Sequence, residues 1–310
     1  MGDMGPPANK KRVVIAGGSG FLGRSLAKEL LERDYEVVVL SRSPRERSDG
    51  VREVEWDGIH IGEWIQHLDG AEAVVNLAGR SINCPHNAKN ILEITESRLN
   101  SVRALAGALG HITHQPRVWV QAGAIGFYGN QGDQFCTEQT PNGADKLAEV
   151  CGEWENAFNS AVMPKTRRVL LRIGVVLGRD GGALPVLARI TRCFLGGAAG
   201  SGKQYISWIH QSDLNRMFLE AIERKDLSAT FNATAPNPVR NNEFMRALRQ
   251  ALHRPWSPPA PVWAVRLGSR LMRTEPSLAL SGCRCAPQRF LEALFRFQFP
   301  DLAGALKDIL

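Results

Sequence analysis

Several things are scarce in this sequence, and each scarcity narrows its class. No run approaches the ~20 consecutive apolar residues of a membrane span, so no membrane association is expected. The opening stretch MGDMGPPANKK has no apolar core and does not read as a signal peptide. It reads as a flexible lead over residues 1–11, and the expected compartment is the cytoplasm. Cysteine is sparse, at Cys84, Cys136, Cys151, Cys193, Cys283 and Cys285. Only the last two stand close together, with neither C-x-x-C nor a histidine pair, so no metal site is expected. Free buried thiols in a reducing compartment fit the pattern better. No nucleic-acid module is legible. The net charge of +7 therefore points to a phosphate-bearing small ligand rather than to nucleic acid.

What is present is a globular composition: 310 residues, 44% hydrophobic and 22% charged. That is enough chain for one large α/β domain or for two domains. The organising stretch is Arg12–Leu31, RVVIAGGSGFLGRSLAKELL. Val13 to Ala16 form a buried strand and run into Gly17, Gly18, Ser19 and Gly20. Past Gly23 the period becomes helical, with Leu22, Leu26, Leu30 and Leu31 on one face. Glycine tolerates the positive φ that a tight strand-to-helix turn needs. The helix start offers free N–H groups and a positive dipole end to a phosphate. A missing Cβ at Gly20 lets a pyrophosphate approach, and one at Gly23 lets the helix pack on the strand. The spacing is G-x-x-G-x-x-G rather than G-x-G-x-x-G, but its place between strand and helix makes it a dinucleotide-site expectation.

A second strand, Glu36–Leu40, follows at the expected interval of about 20 residues. Its end, Ser41-Arg42-Ser43, lacks the acid that would bond a ribose 2′-hydroxyl. Serine and arginine suit a 2′-phosphate, the guanidinium bidentately, so NADP is expected over NAD. Val51–Trp56 is a third strand whose end, Trp56, should lie beside the adenine. Ile61–Leu68 reads as a short helix. Ala73–Leu77 is a fourth strand, ending in the small residues Ala78-Gly79. A long helix, about Asn87–Leu109, carries Glu93 and Arg98 toward the cofactor side. Val118–Ala122 is a fifth strand, Asp145–Phe158 a helix, and Arg168–Ile173 a sixth strand. This alternation predicts an α/β fold, a Rossmann doubly wound parallel sheet with right-handed crossovers and ligands at the strand ends. Beyond Gly178 the chain is punctured by glycine and proline. The expected division is an NADP-binding domain over 12–180, with part of 205–235 returning to it, and a smaller C-terminal α+β substrate lobe over 181–310.

The segments GGSGFLG, NLAG, AIGFYG and LRIGVVLG together resemble the extended short-chain dehydrogenase/reductase superfamily. GSGKQYISWIHQSDL (Gly200–Leu214), EVCGEWENA (Glu149–Ala157) and RFLEALFRFQFPDLAGAL (Arg289–Leu306) are similar to one branch of it. That branch is the NAD-dependent epimerase/dehydratase family with its own C-terminal domain, also described as a cell-division inhibitor. The resemblance implies NADP bound across the sheet, contacted by Gly17, Ser19, Gly20, Phe21, Leu22, Ser41, Arg42, Leu77, Ala78, Glu93 and Arg98. Gly23, Trp56, Gly79 and Ala122, at strand ends or in the turn, complete the expected set. It also implies a small-molecule substrate pocket between the sheet and the C-terminal lobe, whose Trp208 and His210 should reach that cavity or its wall.

Competent relatives abstract a proton with a tyrosine whose pKa is lowered by a lysine one helical turn on. Tyr-x-x-x-Lys occurs nowhere here: Val39, Gly132 and Ile209 follow Tyr35, Tyr128 and Tyr205 by four residues. If Glu155 matches the helix glutamate of relatives, Leu147 and Cys151 take the tyrosine and lysine places. Gly123 and Ala124 stand where a serine is usual. Tyr128 and His210 are the candidate substitutes, against packing for Tyr128 and bonding of the next helix start for His210. Cys151 reads as buried and inert rather than reactive, and Asp133 and Glu138 as loop-shaping. Two functions stay open: an NADP-dependent oxidoreductase or epimerase of a small, sugar-nucleotide-like substrate, or an NADP-binding sensor without turnover. Either fits a monomer or a homodimer.

Overall fold

The computed structural model describes residues 10–310; most of the expected flexible lead lies outside them. Seven strands form the central sheet. They are Arg12–Ala16 (β1), Glu36–Ser41 (β2), Arg52–Glu55 (β3), Ala73–Asn76 (β4), Val118–Ala124 (β5), Arg167–Ile173 (β6) and Ala229–Ala233 (β7). Their order is β3-β2-β1-β4-β5-β6-β7, and every neighbouring pair is parallel. The central strands are apolar along nearly their whole length, because such a sheet is covered on both faces. Val14, Ile15, Val38, Leu40, Val74, Val75 and Val120 have no exposed surface at all.

Helices Phe21–Glu32 (α1), Ala88–Leu109 (α2), Lys146–Ser160 (α3) and Gln211–Glu223 (α5, following Leu184–Arg192, α4) cover the sheet, α2 packing on α3 and α1 on α5. Asn87 caps α2, its side chain accepting from Asn90 N–H, and Asp145 caps α3 through Leu147 and Ala148 N–H. These caps satisfy N–H groups that a helix start otherwise leaves orphaned. The expected Ile61–Leu68 helix is a shorter 3₁₀ turn, Glu63–His67.

After β6 the chain leaves the sheet. It forms the short strand Val175–Leu177, then α4, and pairs Trp208–His210 in parallel with Val175–Leu177. It then returns through α5 to lay β7 beside β6. Asn241–Ala251 (α6), Val262–Leu271 (α7) and Leu302–Ile309 (α8) follow. A second core of Leu177, Leu184, Trp208, Phe244, Leu248 and Leu306 holds this smaller region together. Asp213, fully buried in α5, fixes the tail by accepting from Gln298 and Phe299 N–H at 2.8 and 2.9 Å. Not all thiols are buried, as the sequence suggested: Cys193 is exposed and Cys84 half-buried. A surface turn after α4 offers Cys193 nothing to pack under.

Strand order reverses between β1 and β4, so the crevice for a ligand opens beyond their carboxyl ends. Gly17 follows β1 there and Leu77-Ala78 follow β4. The two turns touch: a Cβ on Gly17 would lie 2.8 Å from the Ala78 backbone, and Gly17 itself has φ +75°. Only glycine meets both conditions without strain.

Candidate functional site

The turn from β1 to α1 is built for an anion. Gly20 caps α1 in extended geometry (φ −76°, ψ 178°), and no side chain bonds the first-turn N–H groups. No acid stands in that first turn. A Cβ on Gly20 would meet only Gly17 O, at an ordinary contact distance of 3.7 Å. A Cβ on Gly23 would instead strike Gly18 at 2.3 Å, so that glycine serves helix–strand packing. Ser19 and Gly20 are exposed, Phe21 and Leu22 half-buried. The Phe21 ring packs under a non-local glycine loop, where a Cβ on Gly178 or Gly181 would meet it at about 2.5 Å. These residues fit a pyrophosphate: open N–H groups, a positive dipole end and no competing carboxylate.

At the end of β2, Ser41 is buried and its Oγ accepts from Ser43 N–H at 3.3 Å. Arg42 is exposed. Arg47, in the loop after it, is paired with Asp49 and Glu53. Trp56 donates its backbone N–H to Ser41 O at 2.9 Å, and its ring, buried at the end of β3, lies 5.5 Å from that of Trp64.

At the end of β4 a buried amide network shapes the turn. Asn76 donates to Ser101 Oγ and Gln121 Oε1 at 3.2 and 3.0 Å, and its Oδ1 accepts from Ala78 N–H at 3.1 Å. Arg98 reaches across from α2 to this turn. Its Nη1 donates to Arg80 O and Ile94 O, and its guanidinium lies 5.0 Å from the Trp154 ring. Gly79 leaves room for it, since a Cβ there would meet the Arg98 side chain at 3.3 Å. Glu93, from the same helix, pairs with Arg80. Ala122 is buried within β5, and Gly123 follows it, close to Leu170 and Glu155. Leu147 is half-buried. Burial pushes the Cys151 thiol up to about 12, the nearby Arg98 only partly offsetting it.

The two acid–base candidates stand elsewhere. Tyr128 is fully buried, donating to Asn232 Oδ1 at 2.6 Å and accepting from Arg172 Nη1 at 2.9 Å. Burial raises its pKa well above the ordinary phenol value. Its hydroxyl is thereby committed to the interior rather than aimed at a pocket. Arg172 is held by both oxygens of Glu155 at 2.9 and 2.8 Å and lies over the Phe127 ring at 3.6 Å. Glu138 joins the same region to β7, accepting from Asn232 N–H at 3.0 Å; Asp133 pairs with Arg240. Sequence reasoning did not single out Arg172, although a charge inside the apolar run RVLLRI was its signal.

His210 caps α5, its Nδ1 accepting from Ser212 N–H at 3.1 Å. Its ring stacks on Phe299 at 3.9 Å. Nε2 lies 3.2 Å from Asp308 Oδ2, in a contact too poorly aligned to be a hydrogen bond. Burial lowers its pKa, against the pull of Asp308 and Asp213. With Ser25, Gly178, Arg179 and Asp308 it lines a cleft of about 240 Å³. Trp208 is fully buried in the second core, its indole N–H donating to Asn237 O at 3.1 Å.

The family described as NAD dependent epimerase/dehydratase matches residues 13–233. A second match, a domain of unknown function (DUF1731), covers residues 260–309. The chain is similar to the chloroplastic epimerase family protein SDR39U1 homolog of Arabidopsis thaliana, 35% identical over 96% of this chain and 86% of that protein. It is similar also to the epimerase family protein YfhF of Bacillus subtilis, 31% identical over 96% of this chain and 97% of that protein. Among solved structures, human epimerase family protein SDR39U1 with NADPH superposes with a TM-score of 0.86 at 32% identity, over 96% of this chain and 98% of that one. UDP-N-acetylglucosamine 4-epimerase of Bacillus cereus shares the fold, with a TM-score of 0.70 at 16% identity over 96% of this chain and 95% of that one.

Proposed function

The chain belongs to the NAD dependent epimerase/dehydratase family, and on that premise we propose that it binds NADPH and acts as an oxidoreductase on a small, sugar-nucleotide-like molecule. The observation that carries the reading is the uncapped, acid-free start of α1 behind Gly20, at the reversal point of the sheet. A solved relative described with NADPH supports the choice of cofactor. Gly17 to Leu22 would hold the pyrophosphate, Ser41 and Arg42 the 2′-phosphate, and Trp56, Leu77, Ala78 and Gly79 the walls of the groove. Bound there, the cofactor supplies or accepts a hydride.

The protein's own share is binding, orientation and exclusion of water. Leu147 has no exchangeable proton, and Cys151 stays a neutral thiol near pH 7 because its pKa is about 12. Tyr128 is tied to Asn232 and Arg172. These three placements are what a second reading rests on, a sensor that binds NADPH without turnover.

Calorimetric titration with NADPH tests binding, on the wild type and on Gly20→Val. The wild type should bind, and the folded variant should not, because the branched side chain fills the pyrophosphate approach. Undiminished binding in Gly20→Val would remove the basis of the reading. Following nicotinamide absorbance across a panel of sugar nucleotides separates turnover from sensing.

A further inference from the structure

Helix α7 buries a single residue, Ser269. Three of its side chains at one-turn spacing, Trp263, Leu267 and Leu271, are 69%, 53% and 78% exposed. A surface helix ordinarily turns such a stripe toward the core; here it faces outward. The stripe has neighbours of the same kind. Leu195 projects from the turn after α4 and Trp256 from the proline-rich lead into α7, at 70% and 74% exposure, and Phe194 is exposed beside Leu195. Hydrogen bonds lace these two segments together. Ser257 Oγ donates to Phe194 O at 3.1 Å, and Ala260 N–H to Ala198 O at 2.8 Å. Phe194 sits at φ +62°, where glycine is usual and a bulky residue is strained, and no burial offsets that cost. Exposed apolar surface gathered in this way marks an interaction site.

Charge selects the partner. Arg266, Arg270 and Arg273 run beside the stripe, also one turn apart, and all three are exposed. No carboxylate pairs with them among the described residues. Glu275, the next acid along the chain, accepts instead from His86 N–H at 3.0 Å. The sequence from Phe244 to Thr274 has no Asp or Glu, and neither has that from Gly181 to Ser212. Both segments that build this face are therefore basic throughout. A second copy of the chain fits poorly, because a two-fold contact sets the same arginines against each other with no acid to answer them. Side chains more than two-thirds exposed project from the surface rather than line a groove for a peptide. Projecting tryptophan and leucine flanked by arginine suit a soft, negatively charged phase, with the indole at headgroup level. We propose that α7 and the adjoining turn at Phe194 and Leu195 dock this protein on the surface of an anionic lipid bilayer. The helix lies in the plane of the interface, its apolar stripe inserted and its arginines among the headgroup phosphates. Its far end is tied to the loop after β4, Thr274 to Asn83 and Glu275 to His86, so the face is preformed. The expectation of no membrane association rests on the lack of a spanning run, which an interfacial helix does not need.

Cosedimentation of the full chain with lipid vesicles tests the proposal. Vesicles of equal parts phosphatidylcholine and phosphatidylserine should carry the protein down, and vesicles of phosphatidylcholine alone should not. Added salt should release it, because exposed charges are screened. Arg266→Gln, Arg270→Gln and Arg273→Gln combined should lower partitioning about a hundredfold, at about fivefold per cation near an anionic leaflet. Trp263→Ser should weaken binding while leaving its salt dependence in place. All four positions are exposed, and circular dichroism checks that each variant is folded. Should the arginine variant fail to fold, the wild type and Trp263→Ser decide the matter. A wild type left in the supernatant by anionic vesicles overturns the proposal, as does equal recovery on both vesicle types or binding that no folded variant changes. Two further results give the face to another occupant and overturn it equally. One is self-association in sedimentation velocity that Trp263→Ser abolishes. The other is binding of a polyglutamate peptide, lost in the arginine variant, by a protein that ignores vesicles.

Discussion

Arg42 ends β2 with no acid beside it on the chain, and two neighbouring residues limit what else can act there. Arg47 is neutralised by Asp49 and Glu53, so it adds little long-range attraction. Ser41 is buried and carries no charge; its Oγ accepts from Ser43 N–H and leaves its own O–H free to donate a single neutral bond. Discrimination between NADPH and NADH therefore falls mainly on Arg42. A charge-assisted bond contributes roughly 1.5–3 kcal/mol, which corresponds to a preference for NADPH of about tenfold to a hundredfold. Arg42→Asp should erase or reverse it, measured as paired titrations with the two cofactors. A preference unmoved by the substitution would mean that the guanidinium points elsewhere. The Glu155–Arg172 pair makes a stability prediction of the same scale. Both side chains are buried, and Glu155→Gln leaves the guanidinium without its counter-charge. Denaturant unfolding should show a loss of about 3–5 kcal/mol. The glycine turn was legible in the sequence because its strand, glycines and helix start fall within about twenty consecutive residues, although Ala78 and the Gly178–Gly181 loop pack against it from elsewhere in the chain. Arg172 and its bonds to Glu155 and Tyr128 were not, because residues far apart in the chain satisfy one another only after β5, β6, β7 and α3 have met.

At the scale of elements, His210 shows how a residue that looks catalytic can be a helix cap. Its Nδ1 must stay unprotonated to accept from Ser212 N–H, and burial favours that neutral form. The groups facing it are Asp308 and Asp213, which favour the charge, and the ring of Phe299. The net shift is downward from an ordinary value of 6.5. The unfolded chain then binds the proton first as pH falls. The stabilisation is complete above about pH 6.5 and is lost as pH drops from there toward the folded value. His210→Asn keeps a capping acceptor without that titration. Its melting temperature should fall less steeply than the wild type's below pH 6.5. Equal slopes would place the acid sensitivity in other groups. The sequence is compatible with both roles for this residue. The bond to the α5 start is the part that local spacing conveyed, while Asp308 and Phe299 come from the far end of the chain.

Across the whole molecule, the first six strands of the sheet follow from the alternation of strands and helices up to Ile173, while the seventh, Ala229–Ala233, lies beyond it. The later chain was harder to read, because its short strands and single-turn helices lack a sustained period and are held by distant contacts such as Asp213 with Gln298 and Phe299. The late arrival of β7 has a bearing on how the chain is made. A ribosome releases β6 well before β7, with α4, Trp208–His210 and α5 still to come. Through that interval the apolar β6 has one edge satisfied by β5 and the other bare, the kind of edge that recruits foreign strands. The nascent protein thus passes through a stage at which the glycine turn is complete but its sheet is still adhesive. Synthesis through Ala233, rather than completion of that turn, is what pairs the bare edge of β6.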